Sequence, residues 1–425
     1  MKKIQLFFAL VSLLALSSIG TTQAQQEHFF IGYWNYTQQG SNSVNEFALH
    51  CKQMKEHHIN HVIPFYYLVV PNFIYASSNP SKAFLDSAYN YGINVLLNTP
   101  ENSVRIRYVD NVLTWMNPYD YTKSMSGLAY YGNHPAVKGF IIQDEPYRNH
   151  FQYMQLHAQD IQAFNPNLMR FVNLLPNYAD TLMFASYYPS TWSYDKRYEQ
   201  FIQDYIDSLQ PQILSFDNYP FYHYYYDSIE HPHAYYPRVL FMNMDIIARK
   251  SAENNVPFTH VLTSLKKDSV HPNGGEYISV VSGKYKTSYS IYTSLLYGAK
   301  GYSFWNSTRS LSALPGHNDI MRSINKKVIE HEEVLLSLNF KSVYHKSFYS
   351  TVGPGEEIIP EHSKWDSIYS DSFANEIFNI NNPLIASTGS SIDSLAISFM
   401  TDNLGNRYFW LFNKSMVVSE NIRLN

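Results

Sequence analysis

A chain of 425 residues, 45% hydrophobic and only 16% charged, has a globular composition and excludes intrinsic disorder, whose signature is low hydrophobicity with high charge. A net charge of −4 without any Lys/Arg-rich block excludes the electrostatic footprint of a nucleic-acid binder. The one cysteine, Cys51, leaves no intramolecular disulfide framework and no cysteine-based zinc cage, while 37 Tyr, 26 Phe and 6 Trp make aromatic content the outlier.

The chain opens as a leader. Lys2 and Lys3 precede an apolar run from Ile4 to Leu16, and Thr22 and Ala24 are the small residues that a secretory cleavage site requires. The run is shorter than the ~20 apolar residues of a transmembrane helix and is followed by Ser17, Ser18 and Gly20. Residues 1–24 therefore read as a removable signal peptide, and the mature chain as lacking an integral membrane span. The short basic start and single cysteine point to bacterial export, to the periplasm or the cell exterior.

From Phe29 to about Leu338, short apolar runs alternate with longer segments of helical period, as expected when parallel strands are joined by crossover helices. The predicted strands are Phe29–Tyr33, His61–Phe65, Asn94–Asn98, Val137–Ile142, Met169–Leu174, Ile213–Asp217, Thr259–Ser264 and Gly301–Trp305. Most are apolar on both faces, as buried parallel strands should be. In the first predicted helix Val44, Phe47, Cys51 and Met54 share one face, which makes Cys51 a core residue. Further helices are predicted over Pro80–Tyr91, Tyr108–Tyr131, Phe151–Phe164, Tyr198–Leu209, Tyr236–Asn255, Ser288–Ala299 and Asp319–Leu338. This order predicts a (β/α)8 TIM barrel over residues 25–338, with a doubly wound open sheet as the competing fold.

After Leu338 helical period disappears. Runs at Lys341–Tyr349, Ser394–Met400 and Arg407–Phe412, separated by turn signals such as Gly353-Pro354-Gly355, predict a small β-sandwich over residues 339–425. Ser419–Asn425 reads as one more strand without a closing partner, so either the sandwich is short or the chain stops before its natural end.

On a barrel, function sits at the C-terminal ends of the strands, so the polar residues that finish each apolar run are the candidates. They are Trp34 and Asn35; Asn98 and Glu101; Asp144 and Glu145; Asn173; Asp217, Asn218 and Tyr219; Thr263 and Ser264; and Trp305 and Asn306. Carboxylates and amides pair with sugar hydroxyls, and aromatic faces cover the C–H surfaces of pyranose rings. The strongest element is Val-Lys-Gly-Phe-Ile-Ile-Gln-Asp-Glu-Pro (137–146), an apolar strand that delivers Asp144 and Glu145 to the barrel mouth, where a carboxyl group is placed for general acid–base work.

Here the sequence resembles the glycoside hydrolases of clan A, whose acid/base glutamate ends the fourth barrel strand in an Asn-Glu-Pro motif. Glu145 occupies that place, while Asp144 replaces the asparagine that in the family bonds the sugar 2-hydroxyl. Gly139–Pro146, Phe171–Pro176, Ser215–Pro220 and Tyr292–Gly301 also resemble exported bacterial barrel proteins of the glycoside hydrolase type. One departure stands out. The clan places its nucleophilic glutamate at the end of the seventh strand, and here that strand ends in Thr263, Ser264 and Leu265. The remaining acids are Asp217, which ends the sixth strand, and Glu276, which lies in a Gly-rich loop.

Each candidate has a plainer reading beside it. Glu145 could cap the next helix or pair with Arg148, Asp217 could form an Asx-turn before Pro220, and Glu276 could be a solvated loop acid. His57, His58 and His61 straddle a helix end and a strand start without nearby acidic ligands, which argues against a metal site. Gly-x-Ser-x-Gly and nucleotide-binding signatures are absent. The expected function is exported hydrolysis of a glycosidic bond in an oligosaccharide or polysaccharide, without metal or organic cofactor. Glu145 is the expected proton donor, with Asp217 or Glu276 as base or nucleophile. Asp144, Trp34, Asn98, Asn173, Tyr219, Glu276 and Trp305 are expected to contact substrate. The competing class is a non-catalytic carbohydrate-binding or scaffold protein whose barrel has lost the seventh-strand nucleophile.

Overall fold

The structure, a computed structural model, describes residues 28–35, 44–64, 80–99, 105–109, 112–117, 119–179, 182–220, 240–263, 284–306, 317–346, 359–377, 385–386, 395–413 and 423–424. The segment expected to be a signal peptide therefore lies outside the described residues, and so do Glu101, Ser264 and Glu276.

In chain order the strands are β1 (Phe30–Asn35), β2 (His61–Pro64), β3 (Asn94–Leu97), β4 (Arg105–Val109), β5 (Val112–Asn117), β6 (Val137–Asp144), β7 (Met169–Leu174), β8 (Leu214–Asp217), β9 (Phe258–Thr263) and β10 (Gly301–Asn306). Eight of them are parallel and close in the order β1-β10-β9-β8-β7-β6-β3-β2, which makes a TIM barrel and excludes the open sheet. Side chains alternate across the barrel wall. Phe30, Trp34, Ile63, Leu96, Ile141, Phe171, Ile213 and Val261 form one interior cluster. Their strand neighbours Ile31, Val62, Leu97, Phe140, Val172, Leu214 and Phe304 face the helices instead.

Helices α1 (Val44–Glu56), α2 (Pro80–Tyr91), α3 (Tyr121–Tyr131), α4 (Phe151–Phe164), α5 (Tyr194–Leu209), α6 (Leu240–Asn254), α7 (Lys284–Leu296), α8 (His317–Glu330) and α9 (Glu332–Ser337) carry the chain between strands and out of the barrel. Cys51 is fully buried, as its place in the α1 stripe requires. The helix expected over Tyr108–Tyr131 is corrected. Its first half belongs to an antiparallel β4–β5 hairpin in which Val109 faces Val112, and only Tyr121–Tyr131 is helical. Aromatic and β-branched residues dominate β4 and β5 and suit a pleated strand. The helix starts where Asp120 can cap it, its carboxylate accepting from the Lys123 N–H at 3.2 Å. The helix expected over Asp319–Leu338 is interrupted at His331 and continues as α9.

Beyond the barrel, β11 (Asn339–His345), β13 (Leu395–Thr401) and β14 (Arg407–Asn413) form an antiparallel sheet, and β12 (Ile385–Ala386) pairs with β15 (Arg423–Leu424). One face of the sheet joins the barrel's outer core through Val343, Ala396 and Phe412. The other packs Tyr344, Leu395, Ile397 and Phe399 against Ile368 and Ala374, so its cover is a 3-10 turn (Trp365–Tyr369) and α10 (Ser372–Ile377).

Candidate active site

The site begins with an irregularity in β6. Along its lower half Ile141 pairs with Phe171 and faces the barrel interior, so strict alternation would turn Gln143 inward and Asp144 outward. The register with β7 instead shifts between Ile141 and Gln143, and Asp144 pairs with Asn173. This bulge reverses the parity and delivers Asp144 to the mouth. Asn173 Nδ2 donates to Asp144 Oδ1 at 3.1 Å, and Asn173 Oδ1 accepts from Ser215 Oγ at 3.1 Å. The buried Asn173 amide is thus engaged at both ends and ties three neighbouring strands together.

Glu145 follows in a left-handed conformation with φ 47°, uncommon for a residue other than glycine. Its N–H donates to the Asn173 carbonyl at 2.8 Å, so the chain is pinned while the exposed Glu145 side chain turns to the mouth. Asp217 ends β8 with 2% exposure. Burial first, then the charge of Glu145 and a hydrogen bond to it, push the Asp217 carboxyl well above the usual carboxylate range. Tyr219 opposes that rise by donating to Asp217, and Asp217 Oδ1 has no partner among the described residues. Asp144 is pushed up to about 7 by burial and by Glu145, against the hydrogen bond from Asn173. Three carboxyls thus converge where like charges cannot all persist, and the two buried ones, Asp144 and Asp217, are pushed toward their protonated forms.

The aromatic candidates divide. Tyr219 and Trp305 stack with centroids 5.4 Å apart and rings inclined by 24°, both half-buried at the mouth. Trp34 is 1% exposed, and its indole N–H donates to Ser303 Oγ at 3.1 Å. It belongs to the interior cluster with Phe30 and Phe171. Asn98 follows β3 with its Oδ1 buried and unpartnered among the described residues. The side chains of Asn35, Thr263 and Asn306 lie outside the described set, as does Glu276.

Behind the carboxyls sits a scaffold of buried polar residues. Asn218 Nδ2 donates to Asn243 Oδ1 at 3.0 Å, and Asn243 Nδ2 to Tyr198 OH at 3.2 Å. His260 Nε2 lies 3.1 Å from the Asn218 carbonyl and its Nδ1 2.9 Å from Ser294 Oγ. Burial lowers His260 to about 3, so it stays neutral. The histidines near the second strand do not meet as a cluster: His57 bonds the Gln53 carbonyl at 2.7 Å, whereas buried His61 stacks on Phe30 at 4.2 Å.

No family model matches this sequence, and no curated protein matches it. Several solved structures are similar to it. An endo-β-1,4-mannanase from Thermotoga petrophila aligns with 10% identity and a TM-score of 0.47, over 92% of this chain and 98% of the other. A glycoside hydrolase family 5 mannosidase from Rhizomucor miehei aligns with 12% identity and a TM-score of 0.43, over 72% and 94%. A cold-adapted β-galactosidase from Rahnella sp. R3 aligns with 12% identity and a TM-score of 0.48, over 75% of this chain and 58% of the other.

Proposed function

We propose that this protein is an exported glycoside hydrolase in which Glu145 and Asp217 share the chemistry. The observation that carries the reading is the hydrogen-bonded contact of these two carboxyls at the barrel mouth, beside a stacked Tyr219–Trp305 pair. Glycosidic cleavage needs one protonated and one ionised carboxyl, which is what a close pair holding one proton provides. The proton that burial places on Asp217 passes across the hydrogen bond to Glu145, the exposed member, which gives it to the glycosidic oxygen as the bond to the anomeric carbon breaks and leaves Asp217 ionised. Asp217 supplies the second carboxylate through Oδ1. Retaining enzymes hold their carboxyls ~5–5.5 Å apart and inverting enzymes ~6.5–9.5 Å, leaving room for water between them. Contact leaves no room for a water between the carboxyls, which argues against the inverting course; on the retaining course an Asp217 oxygen bonds the anomeric carbon, and Glu145 then takes a proton from the water that releases the sugar.

The test is hydrolysis of a panel of aryl glycosides and polysaccharides by the wild type beside Glu145→Gln. Product release that the substitution abolishes, with sugar binding kept, supports the hydrolase. Glycan binding without product release from any substrate favours the carbohydrate-binding reading, for which the acid-free end of the seventh strand is the motive.

A further inference from the structure

The β6 bulge gives Asp144 and Glu145 their directions, yet it opposes regular pairing and needs something to hold it. The holding group is the residue that the bulge turns away from the mouth. Gln143 Nε2 donates to His150 Nδ1 at 2.7 Å, and the Tyr147 N–H donates to the same nitrogen at 3.3 Å. Because Nδ1 accepts twice, the ring proton sits on Nε2 and the imidazole is neutral, in keeping with burial that lowers its pKa to about 4. The Tyr147 ring lies parallel to it at 5.1 Å. This buried histidine therefore bonds the residue before the Asp144–Glu145 pair and a residue after it, closing a loop around the left-handed Glu145.

We propose that Gln143 and His150 are positioning residues: their hydrogen bond locks the bulge and so fixes the direction of the Asp144 and Glu145 carboxyls without touching substrate. The effect on catalysis rests on the hydrolase reading, whereas the effect on the backbone does not. Two readouts keep these apart.

The experiment compares wild type, Gln143→Leu, His150→Ala and Gln143→Glu by steady-state kinetics, thermal unfolding and hydrogen exchange at the Glu145 amide, which donates to the Asn173 carbonyl in the locked state. Misplacement of a reacting group by about 1 Å costs on the order of 100-fold, so Gln143→Leu should lose about that factor in kcat with KM held within about twofold. Its Glu145 amide should exchange faster while the rest of the barrel keeps its protection. Gln143→Glu retains the shape and restores the bond only when the new carboxylate and His150 share an added proton, so its kcat should recover relative to wild type as pH falls. A folded Gln143→Leu with wild-type kcat and wild-type exchange would overturn the proposal. Should wild type cleave no glycoside while exchange at Glu145 still quickens in the variants, the hydrolase reading fails and the brace stands. Cleavage by wild type with no change in exchange removes the brace alone.

Discussion

The carboxyls of Glu145 and Asp217 touch although their strands, β6 and β8, are separated by β7, which contributes no acid of its own. β7 contributes Asn173 and, beneath it, Phe171, so the intervening strand acts as a spacer whose amide holds Asp144.

Asp217→Asn keeps the shape of the side chain and removes the second carboxylate. General acid–base roles of such groups are worth on the order of 10²–10⁴-fold, and kcat should fall by at least that much. The first sugar released by wild type should carry the anomeric configuration of the substrate, read by proton NMR before mutarotation. An inverted product would assign Asp217 to water activation instead.

Asp144 makes stability depend on pH in a direction opposite to that of most surface acids. Its carboxyl titrates at about 7 in the folded protein, against the ordinary 3.8 of an aspartate in the unfolded chain, so the native protein holds a proton that the unfolded chain releases between those values. Its contribution is complete below pH 3.8 and is lost as pH rises through about 7. Asp144→Asn should therefore gain stability over wild type progressively from about pH 4 to about pH 8, measured by denaturant unfolding at a series of pH values. A difference independent of pH would contradict the shifted carboxyl.

Removing the donor that opposes this shift should enlarge it. In Asn173→Ala the hydrogen bond to Asp144 Oδ1 is lost, and the Asp144 titration should move above its wild-type position of about 7. Carbon NMR of the labelled carboxyls reads it directly, and Ser215→Ala should shift it in the same sense by less. An unmoved titration would show that Asn173 has no electrostatic role.

Gly139 lies on β6 below the bulge, where an added Cβ would stand 2.4 Å from the Met169 carbonyl oxygen and 2.6 Å from Met169 Cβ. Backbone on the facing strand cannot yield as a flexible side chain would. Overpacking of this kind costs about 1–3 kcal/mol, and Gly139→Ala should lower stability by that amount. Chemical denaturation measures it. A neutral substitution would mean that the pairing of β6 with β7 is looser than the described register.

The barrel is legible in the sequence because buried parallel strands are largely apolar on both faces: Phe140–Ile142 and Phe171–Val172 carry that pattern within their strands. The Tyr108–Tyr131 segment misleads because its aromatic residues satisfy helical and strand periods alike. Asp217 can be placed at a strand end, but its contact with Glu145 cannot, since that contact depends on a bulge created by pairing with a distant strand. The same bulge hides the partnership of Gln143 and His150, whose only linear signal is that they flank the Asp-Glu-Pro segment. Trp34 is legible as a strand residue, while the buried partner of its indole N–H, the Ser303 hydroxyl on the neighbouring strand, is visible only once β1 and β10 are paired.

The change of texture after Leu338 looks like a seam, but the side chains cross it. His345, fully buried at the end of β11, lies 2.9 Å from the Tyr297 hydroxyl and 4.3 Å from the Phe241 ring, both belonging to the barrel side. Phe412 packs tilted against Tyr289 at 5.4 Å across the same junction. A barrel cut free at that point would expose a wet aromatic scar in place of a finished surface. Heat should therefore melt the two parts in one transition, and anyone wishing to move this barrel into another protein will have to carry its small sheet along as part of the wall.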